Sequence, residues 1–195
     1  MPPVPLYEGT RPYQTLPFQW SLHTMAADGT LTHAAFLASG TDDPRRAFAE
    51  TLIAALADSG LPIVVYSAYE QTQLRELARQ MPDLAHSLEA IIGRLADLLP
   101  VVRGAIYLPE FGFSYSVKAV APALAPGFGY DDLPGIADGS AAAGAFLQLA
   151  SGGLSPSAQV SVRTELLAYC ERDTMAMVEV HRALIRLSGL QADPG

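Results

Sequence analysis

The chain has 195 residues, of which 50% are apolar and 16% are charged, so we expect one folded domain rather than a disordered chain. No apolar run reaches the roughly 18–20 residues of a membrane span. The single cysteine, Cys170, excludes a disulfide framework and a multi-cysteine zinc site. No secretory signal opens the chain, so we expect a cytoplasmic protein without membrane contact. The net charge of −8 disfavours coating of duplex nucleic acid but suits carboxylates gathered around divalent cations.

Patterns in the first half of the chain predict a hairpin, a helix, a strand and a second helix. The hairpin follows from Asp28-Gly29 between two β-forming runs. The first helix follows from Asp43-Pro44, an N-cap with proline at the first helical position. The predicted elements are strands over 18–25 and 30–37, a helix ending at Gly60, a buried strand over 62–66 and a helix over 70–80.

The second half is dominated by helix signals. One helix is predicted over 83–99, with its apolar face formed by Leu84, Leu88, Ile91, Leu95 and Leu98. Further helices are expected over 116–125, up to Leu149 and from Ser157 to Leu187. Only three strands are visible, whereas sheets usually have about five or six. The order of elements therefore indicates an α/β domain from which a strand is missing.

Two local patterns place acidic residues where chemistry can occur. Tyr169 and Asp173 are four residues apart on the last predicted helix, so their side chains share one face. A packed tyrosine beside a solvated aspartate explains the same spacing. Glu70 follows the buried strand, at the edge where open α/β sheets bind ligands. An acidic residue that complements the helix dipole is the alternative for Glu70.

Together these patterns resemble the second and third motifs of the tyrosine-type DEDD exonucleases. From Pro5 to about Leu184 the chain also resembles a bacterial family, domain of unknown function 2779, which is grouped with the ribonuclease-H-like nucleases. The segments that carry this likeness are Pro5 to Gln14, Leu16 to His23, Arg94 to Pro100 and Ser114 to Val120. The resemblance implies Mg²⁺ or Mn²⁺ held by four carboxylates, two of them Glu70 and Asp173, with Tyr169 orienting the attacking water.

The chain departs from the family pattern at two points. The family's first motif, an apolar strand ending in Asp-x-Glu, should precede Pro5, and no Asp-x-Glu occurs in this chain. The wider superfamily has aspartate at the position of Glu70, and usually asparagine at that of Tyr66. Glutamate still offers oxygen to a hard cation. We therefore expect an α/β, ribonuclease-H-like sheet with flanking helices over 1–195, lacking its first, central strand.

The resemblance implies hydrolysis of phosphodiester bonds in DNA or RNA, single-stranded or end-bearing, from a 3′ end. Because half of the ligand set is absent, we expect impaired activity, an upstream start and companion domains in a longer protein. Lys118 and Asp97 are candidate substrate contacts, against a solvated lysine and a capping aspartate.

There are two rival hypotheses. The first is a non-catalytic relative that binds nucleic acid or a protein partner through the former nuclease cleft. The second is a nucleotide phosphohydrolase. Cys170 is expected to be a buried structural thiol. The histidines are too far apart in sequence for a local zinc motif: His23, His33, His86 and His181.

Overall fold

The chain folds into two small sheets and a set of helices. The computed structural model describes residues 5–40, 42–57, 59–133 and 135–189. The strands are β1 (Gln19–Met25), β2 (Leu31–Leu37), β3 (Ile63–Val65) and β4 (Leu95–Asp97). The helices are α1 (Pro44–Leu56), α2 (Tyr69–Gln80), α3 (Ala85–Ile92), α4 (Leu99–Ala105), α5 (Val117–Leu124), α6 (Gly139–Ala150) and α7 (Pro156–Ser188). A short 3₁₀ turn covers Pro109–Phe111. The architecture is mixed α/β.

The predicted hairpin is confirmed. β1 and β2 pair antiparallel, with Gln19 opposite Leu37 and Met25 opposite Leu31. Gly29 has a φ of 83°, and Asp28 accepts a hydrogen bond of 2.9 Å from the backbone N–H of Thr30. Glycine adopts such a left-handed conformation without steric cost. A two-stranded hairpin is marginal in water unless another layer covers it. Here α7 and α1 pack against it.

The first hydrophobic core lies between the hairpin and α1, α2 and α3. Asp43 caps α1 by accepting from the backbone N–H of Arg45 at 3.0 Å, and Pro44 occupies the first turn. The N-terminus predicted for this helix is therefore confirmed. The buried side chains of this core include Phe48, Leu74, Leu77, Leu88 and Ile91. Its partly buried neighbours include Trp20, which donates from Nε1 to Thr51 at 3.0 Å and ties the hairpin to α1.

The single helix predicted over 83–99 is wrong. α3 stops at Ile92, and the N–H of Gly93 bonds the Glu89 carbonyl at 2.9 Å. Arg94 then turns the chain, because its guanidinium donates to the Leu61 and Leu56 carbonyls at 2.8 and 2.9 Å. β4 follows and pairs in parallel with β3. This long-range pairing overrides a leucine spacing that also fits a helix.

α7 organises the second half of the chain. It begins at the capping Ser155, which accepts from the Ala158 N–H at 3.3 Å, and ends at Gly189, where φ is 70°. One core joins α7 to α6 and the end of β2, and another joins it to α4, α5 and the strand end at Tyr66. None of the helices in the described ranges is both long and apolar enough to cross a membrane.

Candidate active site

Parallel pairing of β3 and β4 places their carboxyl ends side by side. Asp97 is the last residue of β4 and lies opposite Val65. Its Oδ1 accepts hydrogen bonds from the backbone N–H groups of Ser67 at 2.8 Å and Leu99 at 2.9 Å. Ser67 has a φ of 114°, a strained value for a residue with a side chain. Asp97 therefore holds the turn after β3 and the start of α4, as the capping alternative predicted.

Glu70 lies in the first turn of α2, just beyond the end of β3. Its side chain is half-buried, and within the described part of the chain its buried Oε2 has no hydrogen-bond partner. Burial raises the pKa of Glu70, and the negative charges of Asp97 and Asp173 raise it further. Glu70 therefore lies within electrostatic reach of two carboxylates from other elements, Asp97 on β4 and Asp173 on α7.

α7 contributes Tyr169 and Asp173 from one face. Tyr169 is buried, with 7% of its surface exposed. Asp173 has a buried Oδ1 to which no described residue donates a hydrogen bond. Burial raises the pKa of Asp173, while Tyr169 and the positive charge of Lys118 act in the opposite direction. The neighbouring Cys170 is partly buried, and burial raises the pKa of its thiol to about 12, so the thiol stays protonated at neutral pH.

Lys118 and Tyr130 complete this region. The Lys118 Nζ lies 4.6 Å from the ring centre of Tyr169 and 5.2 Å from that of Tyr130. It also donates to the Ala137 carbonyl at 2.5 Å, so this half-buried lysine is held in place rather than freely solvated. Burial raises the pKa of Tyr130, and the charge of Asp173 and a side-chain hydrogen bond with it raise that pKa further. No sequence pattern pointed to Tyr130, because it lies in a loop without periodicity.

The fold thus brings all five predicted site residues to one region. We name Glu70, Asp97 and Asp173 the carboxylate cluster. Their donors are all oxygen, which suits hard cations such as Mg²⁺ or Mn²⁺. Among the residues described, their oxygen atoms are not all within 4.8 Å of one another. The unpartnered oxygens of Glu70 and Asp173 are the atoms that a cation would satisfy.

A second cluster escaped the sequence reasoning. His23, His33 and Glu171, which we name the histidine cluster, offer ligand atoms that all lie within 4.8 Å of one another. The hairpin register places His23 directly opposite His33. The available signal was the predicted turn at Asp28, because these histidines lie at equal distances on either side of it. The four histidines remain too far apart in sequence for a local zinc motif, but the hairpin brings His23 and His33 together in space.

Comparison with known families matches residues 1–116 to the family described as Domain of unknown function (DUF2779). Comparisons with curated proteins and with solved structures give no match. The matched segment runs through β4 and α4 and includes Glu70 and Asp97, whereas Lys118, Tyr169 and Asp173 lie beyond it. The likeness predicted for residues 117–184 stays a prediction. Since the matched 116 residues are more than half of the 195, the chain belongs to the DUF2779 family.

Proposed function

We propose that this chain is a ribonuclease-H-like nuclease domain for the hydrolysis of phosphodiester bonds of nucleic acid with Mg²⁺ or Mn²⁺, and that the absence of an Asp-x-Glu motif impairs its activity. The observation that carries the proposal is the carboxylate cluster, which joins the ends of two parallel strands to a distant helix. Burial raises the pKa of Glu70, and the negative charges of Asp97 and Asp173 add to the rise. Acidic groups whose pKa is raised by burial and by neighbouring charges concentrate at functional sites.

The donor set fits a hard divalent cation. Glu70 Oε2 and Asp173 Oδ1 are both buried, and neither has a hydrogen-bond partner among the residues that the structure describes. A buried oxygen without a partner costs about 1–3 kcal/mol, and more when it is charged. Glu70 and Asp173 would hold the cation, and Asp97 would add negative charge while it braces the turn at Ser67. A bound Mg²⁺ or Mn²⁺ would supply charge neutralisation at the scissile phosphate and a more acidic water.

The neighbouring side chains have roles that follow from their positions. Tyr169, four residues before Asp173 on α7, would orient the attacking water through its Oη. Lys118, packed over the rings of Tyr169 and Tyr130, would contact a non-bridging phosphate oxygen. The tyrosine and aspartate four residues apart resemble the third motif of tyrosine-type DEDD exonucleases. This resemblance favours attack at a 3′ end of DNA or RNA.

Metal binding and strand cleavage test the proposal separately. Calorimetric titration with Mn²⁺ is expected to show binding that Asp173→Asn abolishes. Glu179→Gln is the matched control, because Glu179 lies on α7 and pairs with Arg182 at 3.0 Å, away from the cluster. Incubation with Mn²⁺ and 5′-labelled single strands is expected to give only weak cleavage, because two of the four carboxylates that the resemblance implies are absent. That cleavage should also depend on Asp173. Binding of Mn²⁺ that is equal in wild type and Asp173→Asn would rule out this site.

The cleavage assay also separates the rival functions. Binding of both Mn²⁺ and single strands without any cleavage favours a non-catalytic module that retains the cleft. Hydrolysis of free nucleotides, with long strands left intact, favours a nucleotide phosphohydrolase. Products that shorten progressively from the 3′ end favour the exonuclease.

A further inference from the structure

The histidine cluster lies where the hairpin meets α7. His23 on β1 and His33 on β2 are a directly opposed cross-strand pair, with ring centres 4.7 Å apart. Glu171 reaches them from α7, with its Oε1 3.7 Å from His33 Nδ1. Three separate elements therefore supply two imidazoles and one carboxylate to a single point. The side chain of Glu171 is 52% exposed and that of His33 is 28% exposed, so an ion can enter from solvent.

A layer of hydroxyl groups orients the imidazoles. Thr174 Oγ1 lies 3.0 Å from His23 Nδ1, and Ser21 Oγ lies 2.9 Å from His33 Nε2. The two hydroxyls are also 2.8 Å from each other. Each ring thus has one nitrogen in a hydrogen bond, which leaves His23 Nε2 and His33 Nδ1 as the nitrogens available for a ligand. Bracing of the second ring nitrogen is the usual support of a metal-binding histidine.

We propose that His23, His33 and Glu171 bind a borderline divalent transition-metal ion of the Zn²⁺ class. Two neutral imidazoles and one carboxylate form a donor set that Zn²⁺ accepts, with a remaining position for water or an external ligand. Mg²⁺ prefers oxygen donors and near-octahedral geometry, so it is a poor occupant. The site is distinct from the carboxylate cluster, because Glu171 and Asp173 are about 200° apart around α7 at 3.6 residues per turn.

An ordinary surface cluster, with stacked rings and one ion pair, is the competing explanation. It predicts no selective affinity for Zn²⁺. Titration of the full chain with Zn²⁺ in competition with a chromophoric chelator distinguishes the two. We expect one Zn²⁺ per chain at this site, retained in excess Mg²⁺ and in Asp173→Asn.

Variants locate the bound ion. Glu171→Gln and His33→Gln are expected to weaken Zn²⁺ binding by at least about tenfold, and Thr174→Ala by about 10–100-fold because it loses the support of His23. His86→Gln is the matched control, because His86 is exposed on α3 and outside the cluster. Unchanged circular dichroism verifies that each variant is folded. The absence of Zn²⁺ binding by the folded wild-type chain, or equal binding by wild type and Glu171→Gln, would overturn the proposal.

Discussion

α7 presents two acidic groups of opposite character, two residues apart. Asp173 is desolvated, its Oδ1 has no hydrogen-bond partner, and it faces Glu70 across the carboxylate cluster. Glu171 is half-exposed and faces imidazoles whose other nitrogens are already braced by hydroxyls. The first arrangement stores unfavourable electrostatic free energy, which a hard cation would relieve. The second arrangement stores little unfavourable electrostatic free energy. Its affinity for a metal ion would come from the positions of its donor atoms.

Disrupting the packing of α7, the helix that carries both acidic groups, should have the largest effect on the free energy of unfolding. Leu166 on α7 is fully buried against α6. Leu166→Ala is expected to lower the free energy of unfolding by about 2–5 kcal/mol, because a cavity adds to the lost apolar burial. Leu187→Ala, at a position on the same helix that is 65% exposed, should stay within about 0.5 kcal/mol of wild type. Urea unfolding measures both. Equal costs would contradict the packing of α7.

Neutralising each acidic group in turn should separate the two faces. Without metal, Asp173→Asn is expected to raise the free energy of unfolding by about 1 kcal/mol, because burial disfavours the charge of Asp173 more than its neighbours favour it. Glu171→Gln, at a half-exposed position, should change it by less than about 0.5 kcal/mol. Thermal and urea unfolding in the presence of a chelator give both values. A loss of stability in Asp173→Asn would show that its neighbours already compensate the charge.

Lys118, the positively charged side chain beside the carboxylate cluster, allows a sharper test of contact with the substrate. Lys118 is the only lysine in the chain. Lys118→Met is expected to weaken single-strand binding several-fold and to reduce the salt dependence of log K by about 0.7, the contribution of one phosphate contact. Arg186→Met, at an exposed position near the end of α7, is the control. Fluorescence anisotropy at several salt concentrations measures single-strand binding by wild type and both variants, and so tests this prediction. An unchanged slope for Lys118→Met would remove Lys118 from the interface.

Local signals predicted most of the elements. Asp28-Gly29 specified the hairpin turn, and Asp43-Pro44 specified the start of α1, because turns and caps depend on a few adjacent residues. The helix predicted over 83–99 failed, because nothing local announces that residues 95–97 pair with β3. The wrong helix placed Asp97 inside a predicted helix rather than at the end of a strand. Its contact with Ser67 was therefore not predicted.

The residues of the carboxylate cluster and of the histidine cluster could be predicted from the sequence to different extents. Glu70 and Asp173 were predicted as partners through a motif resemblance, and the fold places them in one region. Tyr130 was missed, because loop geometry decides which aromatic ring faces Lys118. The histidine pair was within reach, since a predicted turn implies a register. The contribution of Glu171 was not, because it depends on how α7 crosses the hairpin.

The smallest expected effect comes from a carboxylate that shares α2 with Glu70 but has the opposite shift. Arg79 donates to Glu76 at 2.5 Å, and this hydrogen bond lowers the pKa of Glu76 to about 2. A depressed pKa contributes stability above the unfolded value of 4.5, and this contribution is lost as pH falls from 4.5 toward 2. Because the pair is partly exposed, the contribution should be below about 1 kcal/mol. Glu76→Gln and Arg79→Gln should therefore show the same shallower loss of stability below pH 4.5. An acid limb as steep as that of wild type in either variant would mean that the ion pair does not persist in solution.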